Sequence, residues 1–340
     1  MPEERSRLLV TGATGLAGSH TVRALLGAGH RVRAFVRSPE KARRVFGEPG
    51  GSLELAKGDI QDEASVFEAL HGCDGVIHCA ALVAIDSAHT PDALIETNVS
   101  GVRNVIGTAV ALGLPRIVHV SSVATLFRGD GTVLSESSEP RASEHAYGRS
   151  KAIAEAYVRE LQAQGQPVKI VYPGAIIGPD DPGLTESMNA LRIFLRDFIP
   201  ITSSGMQFVD ARDLADAHLR IIEAAPGPAR YLVSGTFLRW PEIAQIVEAA
   251  SGVAPRTIRI PGVVLRLVGR ILDLVRRVTP VELPLTAESA AYITRWDAIP
   301  NSKSLEAMGV RLRDVSESLS DALHWLREAG YLDEDSDRTG

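Results

Sequence analysis

Leu8-Leu9-Val10-Thr11-Gly12-Ala13-Thr14-Gly15-Leu16-Ala17-Gly18 is the stretch on which the fold turns. Its apolar triplet Leu8–Val10 breaks at once into a glycine turn and reads as a short buried strand. From Leu16 the apolar spacing is helical through Leu25-Leu26 and stops at Gly27 and Gly29. Small residues at a strand-to-helix turn let a phosphate approach the backbone N–H groups of the helix N-terminus, whose dipole favours an anion. Gly12, Thr14, Gly15, Leu16 and Gly18 are therefore expected to cradle the pyrophosphate of a dinucleotide. A tight turn with close helix packing would also call for glycines, so the strand–turn–helix setting is what gives the triplet its weight.

Outward from this turn, strands and helices alternate. Strands are expected at Arg31–Val36, Leu53–Lys57, Gly75–Cys79, Arg116–Val120 and Val168–Tyr172. Helices are expected near Glu40–Phe46, Glu63–Leu70, Asp92–Leu112 and Ala146–Gln164. This is the βαβ pattern of a parallel sheet. The predicted fold is α/β, a doubly wound parallel Rossmann sheet with a smaller, mainly C-terminal α/β substrate lobe. Residues 1–178 are assigned to the dinucleotide-binding domain, with returns near 206–235, where Asp213–Ala224 reads as a helix and Arg230–Ser234 as a strand. Residues 179–205 and 236–330, punctuated by Pro179, Pro182 and Pro200 and including a helix at Pro241–Ser251, are assigned to the substrate lobe, and 331–340 to a polar tail.

The bulk numbers exclude several classes. The chain has 340 residues, 45% hydrophobic and 23% charged, which is ordinary for a globular protein. Its 36 Lys and Arg against 42 Asp and Glu give a net charge of −6 and no reason to expect nucleic acid as a partner. Cys73 and Cys79 lack metal or C-x-x-C spacing and read as packing thiols of a reducing compartment. The histidines show no H-E-x-x-H pattern, so no metal site is expected; His78, His119 and His145 read as packed or solvent-facing. No apolar run approaches the ~20 residues that cross a bilayer, and a cytoplasmic location is expected.

Two further features point to redox chemistry. An NAD enzyme places Asp or Glu at the end of the second strand to accept from the ribose 2′-OH, but here that strand ends Val36-Arg37-Ser38. Arg37, with Arg44 or Lys41 on the next helix, would instead suit a 2′-phosphate, so NADP(H) is expected over NAD(H). Tyr147 and Lys151, four apart on a predicted helix, share a face, and an ammonium beside a phenol favours the phenolate needed for proton transfer at neutral pH.

The G-x-x-G-x-x-G spacing, Ser122 after the fifth strand and Tyr147-x-x-x-Lys151 together resemble the extended short-chain dehydrogenase/reductase family, the NAD-dependent epimerase/dehydratase superfamily, from residue 8 to about residue 220. The nearest resemblance is to dihydroflavonol-reductase-like and 3β-hydroxysteroid-dehydrogenase-like members, through Val32-Arg33-Ala34-Phe35-Val36-Arg37 and Val120-Ser121-Ser122. The resemblance implies that Ser122, rather than Ser121, polarises the substrate oxygen and that Tyr147 transfers the proton. Lys151 would tune Tyr147 and hold the ribose, and Asn98 would hold a water leading from the lysine to solvent. It also implies an adenine contact at Asp59 and Ile60, a small-residue wall at Ala80, Ala81 and Val83, and a nicotinamide-side loop at Pro173, Gly174 and Ile176. Asp210 and Asp213 would be mainly structural.

The implied function is NADP(H)-dependent hydride transfer between nicotinamide and a ketone or aldehyde, or a secondary alcohol in reverse, in a monomer or homodimer. The alternatives are a nucleotide-sugar epimerase or dehydratase with tightly held NAD, and a non-catalytic dinucleotide sensor or scaffold. Finally, Gly262–Val278 is amphipathic, with Arg266, Arg270, Asp273 and Arg277 on one face and Val264, Leu267, Val268, Ile271, Leu272 and Val275 largely on the others. It is expected to pack on neighbouring helices of the substrate lobe, with a lid over an apolar substrate or a membrane-surface contact as the other readings.

Overall fold

The computed structural model describes residues 5–82, 91–141, 146–276 and 285–332. Apolar runs flanked by turns form seven parallel strands: β1 (Arg7–Thr11), β2 (Arg31–Val36), β3 (Leu53–Lys57), β4 (Gly75–His78), β5 (Arg116–Val120), β6 (Val168–Pro173) and, after three short strands introduced below, β10 (Ala229–Val233). Their order is β10-β6-β5-β4-β1-β2-β3. The chain steps outward from β1 in one direction, then returns to start again at β4 on the other side. Between β1 and β4 the crossovers diverge, which leaves a crevice at the C-terminal ends of the strands where α/β proteins bind ligands.

Helices cover both faces, as a parallel sheet requires. On one side α1 (Leu16–Gly27), α2 (Pro39–Phe46) and α8 (Ala211–Glu223) pack over Leu8, Val10, Val32, Ala34 and Val118. On the other, α3 (Glu63–Leu70), α4 (Pro91–Val102), α5 (Thr108–Ala111) and α6 (Ala146–Ala163) bury Leu9, Val76, Ile117 and Ile170. The helix expected over 92–112 is one run from Pro91 to Ala111, with a π turn at Arg103–Gly107 joining α4 to α5. The π turn ends at Gly107, where a β-carbon would lie 2.6 Å from the Tyr157 hydroxyl of α6.

A three-stranded sheet, β11-β9-β7, is built from β7 (Ala175–Ile177), β9 (Gly205–Asp210) and β11 (Thr236–Arg239). β8 (Ile199–Ile201) pairs with β12 (Thr257–Arg259). Around them lie α7 (Glu186–Arg196), α9 (Trp240–Ser251), α10 (Gly262–Arg276), α11 (Ala287–Arg295), α12 (Ser302–Met308) and α13 (Val315–Glu328). Asp210 and Asp213 serve as read from the sequence. Asp210 caps α8 and pairs with Arg212, while Asp213 binds Arg313 in the segment before α13.

α10 packs on a neighbouring helix of the substrate lobe, as expected, but through a narrow face. Its contact with α11 runs through Leu265 and Gly269, where a β-carbon would lie 2.7 Å from the Thr286 carbonyl oxygen. Only a glycine lets the two helices approach so closely. That choice of contact turns Val264, Leu267, Val268 and Ile271 away from the neighbour and leaves them exposed. Arg277 and Val278 lie outside the described residues.

Candidate active site

The turn after β1 is shaped by two prohibitions. Gly12 has φ +64°, and a β-carbon on it would lie 2.7 Å from the Ala80 backbone nitrogen. On Gly18 it would lie 2.1 Å from the Gly12 carbonyl oxygen. Both glycines are therefore demanded by the chain itself. Gly15 is different: its backbone is ordinary extended chain, φ −98° and ψ 171°, and a β-carbon would meet only the Gly12 oxygen at 3.4 Å. Among the described residues nothing requires glycine there. Gly15 also stands at the N-terminus of α1, which has no side-chain cap and no acid in its first turn. An open helix N-terminus beside a position kept free of a side chain fits a bound pyrophosphate.

The opposite wall of the crevice follows β4. Ala80 N–H donates to Thr11 Oγ1, 3.3 Å, and the Thr11 hydroxyl lies 2.7 Å from His78 Nδ1. Ala80 and Ala81 are half-buried. Val83 and His145 lie outside the described residues. Asn98 on α4 accepts from Leu82 N at 2.8 Å, and its Nδ2 donates both to Leu82 O at 2.9 Å and to Ser150 Oγ at 2.9 Å. Ser150 in turn donates to Tyr147 O at 2.8 Å. With both amide protons engaged, Asn98 joins the segment after β4 to the turn of α6 that carries Tyr147. Its geometry is that of a positioning residue.

The first turns of α6 carry Tyr147 and Lys151 and bring Lys151 to the end of β5. Lys151 is buried, and its Nζ lies 3.5 Å from Val120 O, two residues before Ser122. Burial lowers its pKa to about 8, with Cys79 and Glu155 acting in the opposite direction. The same burial, aided by the Lys151 charge, lowers His78 to about 3 and holds His119 well below its usual value, so both rings are neutral. They stack 5.9 Å apart between β4 and β5. Cys79 is pushed up to about 12 by burial and is an inert thiol.

The structure separates the two adjacent serines. Ser121 is buried, and its hydroxyl donates to Glu155 Oε2 at 2.6 Å. Ser122 is half-buried; its Oγ accepts from Ala124 N at 3.2 Å and keeps its own proton for another acceptor. Glu155 and Arg159, one and two turns beyond Lys151, were missed from the sequence. Glu155 accepts from Ser121, from Tyr172 Oη at 2.7 Å and from Arg159 Nε at 2.8 Å. Their i, i+4, i+8 spacing with Lys151 was the available signal.

On the outer side of the crevice, Arg37 at the end of β2 and Arg44 on α2 are both exposed and have no ion-pair partner among the described residues. Lys41 turns instead toward Gly183 in the segment before α7. Asp59 accepts from Gln61 N at 3.0 Å, and Ile60 packs on Gly101 of α4. Pro173 is buried, Ile176 half-buried, and a β-carbon on Gly174 would lie 2.2 Å from Ser234 O, so that glycine is needed for packing.

Residues 8–234 match the model of the NAD dependent epimerase/dehydratase family. The chain belongs to this family. Over 332 residues it is 31% identical to a protein named sterol demethylase protein B from Methylococcus capsulatus, covering 95% of this chain and 99% of the relative. It is 30% identical to a putative dihydroflavonol 4-reductase from Synechocystis sp., covering 95% of both. The crystal structure of gox2253 superposes with a TM-score of 0.82 at 28% identity, covering 96% of this chain and all of the other. Members of the epimerase/dehydratase family are NAD(P)-dependent enzymes, and the open N-terminus of α1 at Gly15 fits the pyrophosphate of such a dinucleotide.

The two classes of glycine respond differently to a methyl group. Gly15→Ala is expected to leave the thermal midpoint nearly unchanged and weaken dinucleotide binding at least roughly tenfold, measured by fluorescence titration. Gly18→Ala is expected to cost about 3 kcal/mol or more of stability, because the clash is with backbone that cannot rotate away.

Lys151 gives a pH signature. Its folded pKa, about 8, lies below the usual lysine value of 10.5, so between these the unfolded chain binds the extra proton and stability rises with pH. Below about pH 8 the folded apoprotein carries the full cost of the buried ammonium, on the order of 3 kcal/mol. Lys151→Met should therefore raise the urea midpoint at pH 7 and lose that advantage as pH approaches 10.5. An equal effect at both pH values would contradict the assignment.

Proposed function

We propose that the protein is an NADP(H)-dependent oxidoreductase that interconverts a ketone or aldehyde and a secondary or primary alcohol. The observation that carries this reading is the placement of Lys151, one helical turn after Tyr147, with its Nζ 3.5 Å from Val120 O, two residues before Ser122 at the end of β5. The bound nicotinamide supplies or accepts the hydride. Ser122, whose hydroxyl proton is unspent, donates to the carbonyl oxygen and orients it. As hydride reaches the carbonyl carbon, the Tyr147 phenol gives its proton to that oxygen, leaving a phenolate that solvent reprotonates. Lys151 stabilises the phenolate and holds the ribose; Asn98 and Ser150 fix the turn on which Tyr147 stands.

The phosphorylated cofactor is favoured by the exposed guanidinium of Arg37, without an ion-pair partner among the described residues, where a 2′-OH reader would carry a carboxylate, with Arg44 as the second cation. Reduction of a carbonyl, rather than internal redox on a nucleotide sugar, is favoured by the same arginine and by the relative named as a dihydroflavonol 4-reductase. The relative named sterol demethylase protein B makes an apolar, ring-containing carbonyl compound the first class to assay.

Cofactor oxidation against a panel of aromatic and alicyclic ketones and aldehydes, run in parallel with NADPH and NADH, tests this reading. Tyr147→Phe is expected to bind NADPH within about twofold of the unmodified protein and to lose at least roughly a thousandfold in kcat. Arg37→Ala should weaken NADPH by about tenfold while leaving NADH unchanged. A Tyr147→Phe variant that keeps most of its kcat, or tightly co-purifying NAD without any carbonyl turnover, would defeat the proposal.

A further inference from the structure

Eleven large hydrophobic side chains are exposed among the described residues, and six of them lie on α10: Val263, Val264, Leu267, Val268, Ile271 and Leu274. Val263, Leu267 and Leu274 are each more than half exposed, at 68%, 56% and 62%. At 3.6 residues per turn these six span an arc of about 140°, a continuous stripe along the helix. Isolated exposed hydrophobics need no explanation, but six in one stripe do. The stripe belongs to neither the glycine turn nor the Ser122–Tyr147–Lys151 cluster.

The remainder of the helix says what covers the stripe. Its inward side is committed to α11 through Leu265 and Gly269. Its sole carboxylate, Asp273, accepts from the Ala287 backbone N–H at 2.9 Å and so belongs to that inward contact. Arg266 and Arg270 border the stripe; Arg266 bonds Thr294 at 2.9 Å, whereas Arg270 is exposed with no ion-pair partner among the described residues. The segment leading into the helix adds exposed Arg256 and Arg259. Thus a chain of net charge −6 presents along this helix an apolar face bordered by Arg266 and Arg270, with the helix's one acid engaged by the α11 backbone. A second copy docked face to face would bring like arginine borders together with no carboxylate to pair them. An anionic lipid surface meets both requirements, accepting the apolar stripe at the acyl boundary and the guanidinium groups at the headgroups.

We propose that α10 lies in the interface of an anionic membrane, docking the protein to the surface without spanning it. No helix among the described residues is long and apolar enough to cross a bilayer, so attachment is by the exposed face alone. The association is reversible, weakens in salt and leaves the fold unchanged.

Flotation of the full chain with vesicles of phosphatidylcholine, with and without phosphatidylglycerol, tests this directly. The expected result is flotation with the anionic vesicles, several-fold more than with neutral ones, and its loss near 1 M salt, where screening shortens to about 3 Å. The double variant Leu267→Glu/Ile271→Glu should reduce vesicle binding by roughly tenfold or more, and Arg270→Gln by about fivefold. Both replace exposed side chains, so thermal midpoint and dinucleotide affinity should be unchanged and serve as folding controls. Should the double variant fail to fold, the Arg270→Gln and salt series decide alone. Absence of flotation with anionic vesicles overturns the proposal. So does equal binding by the variants, or a dimer in light scattering that Leu267→Glu/Ile271→Glu abolishes while vesicles bind neither protein.

Discussion

At two positions in the turn after β1 there is no room for a side chain, and the rest of the structure is arranged around that constraint. Gly18 lets the first turn of α1 sit on the Gly12 carbonyl, and Gly12 lets the turn lie against the backbone at Ala80. Together they lock the N-terminus of α1 to the ends of β1 and β4, over the point where the sheet changes direction. α8 then packs along α1, with Thr21 and His218 bonded at 2.8 Å, and burial keeps that histidine neutral. A helix dipole fixed over a crevice is useful only if something anionic comes to it, and Gly15 is the position where the chain leaves space for that approach.

The other wall of the crevice is held by side-chain to backbone bonds instead of close packing. Asn98 engages both the N–H and the carbonyl of Leu82, and through Ser150 it reaches the turn bearing Tyr147. The segment after β4 and the first turn of α6 are therefore tied together, and a change at Asn98 would disturb both. Rigid elements on both sides of a ligand cleft reduce what must be ordered on binding, so more of the interaction energy appears as affinity.

Most of this architecture is legible in the sequence because the parallel strands are buried on both faces and read as short apolar runs between turn residues. The choice of Ser122 over Ser121 was made from a resemblance; the structure supplies a physical reason, since Glu155 engages the Ser121 hydroxyl. The spacing of Glu155 after Lys151 is visible in the sequence, but its burial is not. A carboxylate four residues past a lysine on a helix looks like a solvated i, i+4 partner, and only the placement of α6 over β5 and β6 removes it from water. The π turn at Arg103–Gly107 was likewise invisible, because it answers to the Tyr157 hydroxyl on another helix. For α10 the amphipathic period was plain, but which face packs depended on Gly269, whose fit against Thr286 only tertiary structure reveals.

Lys151, Glu155 and Arg159 stand on the same side of α6 at successive turns, yet they end in different electrostatic states. Glu155 receives three donors, from Ser121, Tyr172 and Arg159, and its ion pair with Arg159 at 2.8 Å is extended by Glu139, 3.1 Å from the same guanidinium. A buried carboxylate so surrounded has its charge compensated within the core. Arg159 is thereby the partner that neutralises Glu155, and the attraction Glu155 exerts on Lys151 is too small to offset desolvation, which dominates the lysine. The lysine is thus the poorly compensated charge of the row, buried at the end of β5 with its Nζ near Val120 O. An ion-pair network that satisfied all three residues would be more stable but would leave no destabilised ammonium at the end of β5. The arrangement found here spends the available carboxylate on the arginine and leaves the lysine a buried, weakly compensated ammonium, and perturbed charges of this kind cluster at functional sites.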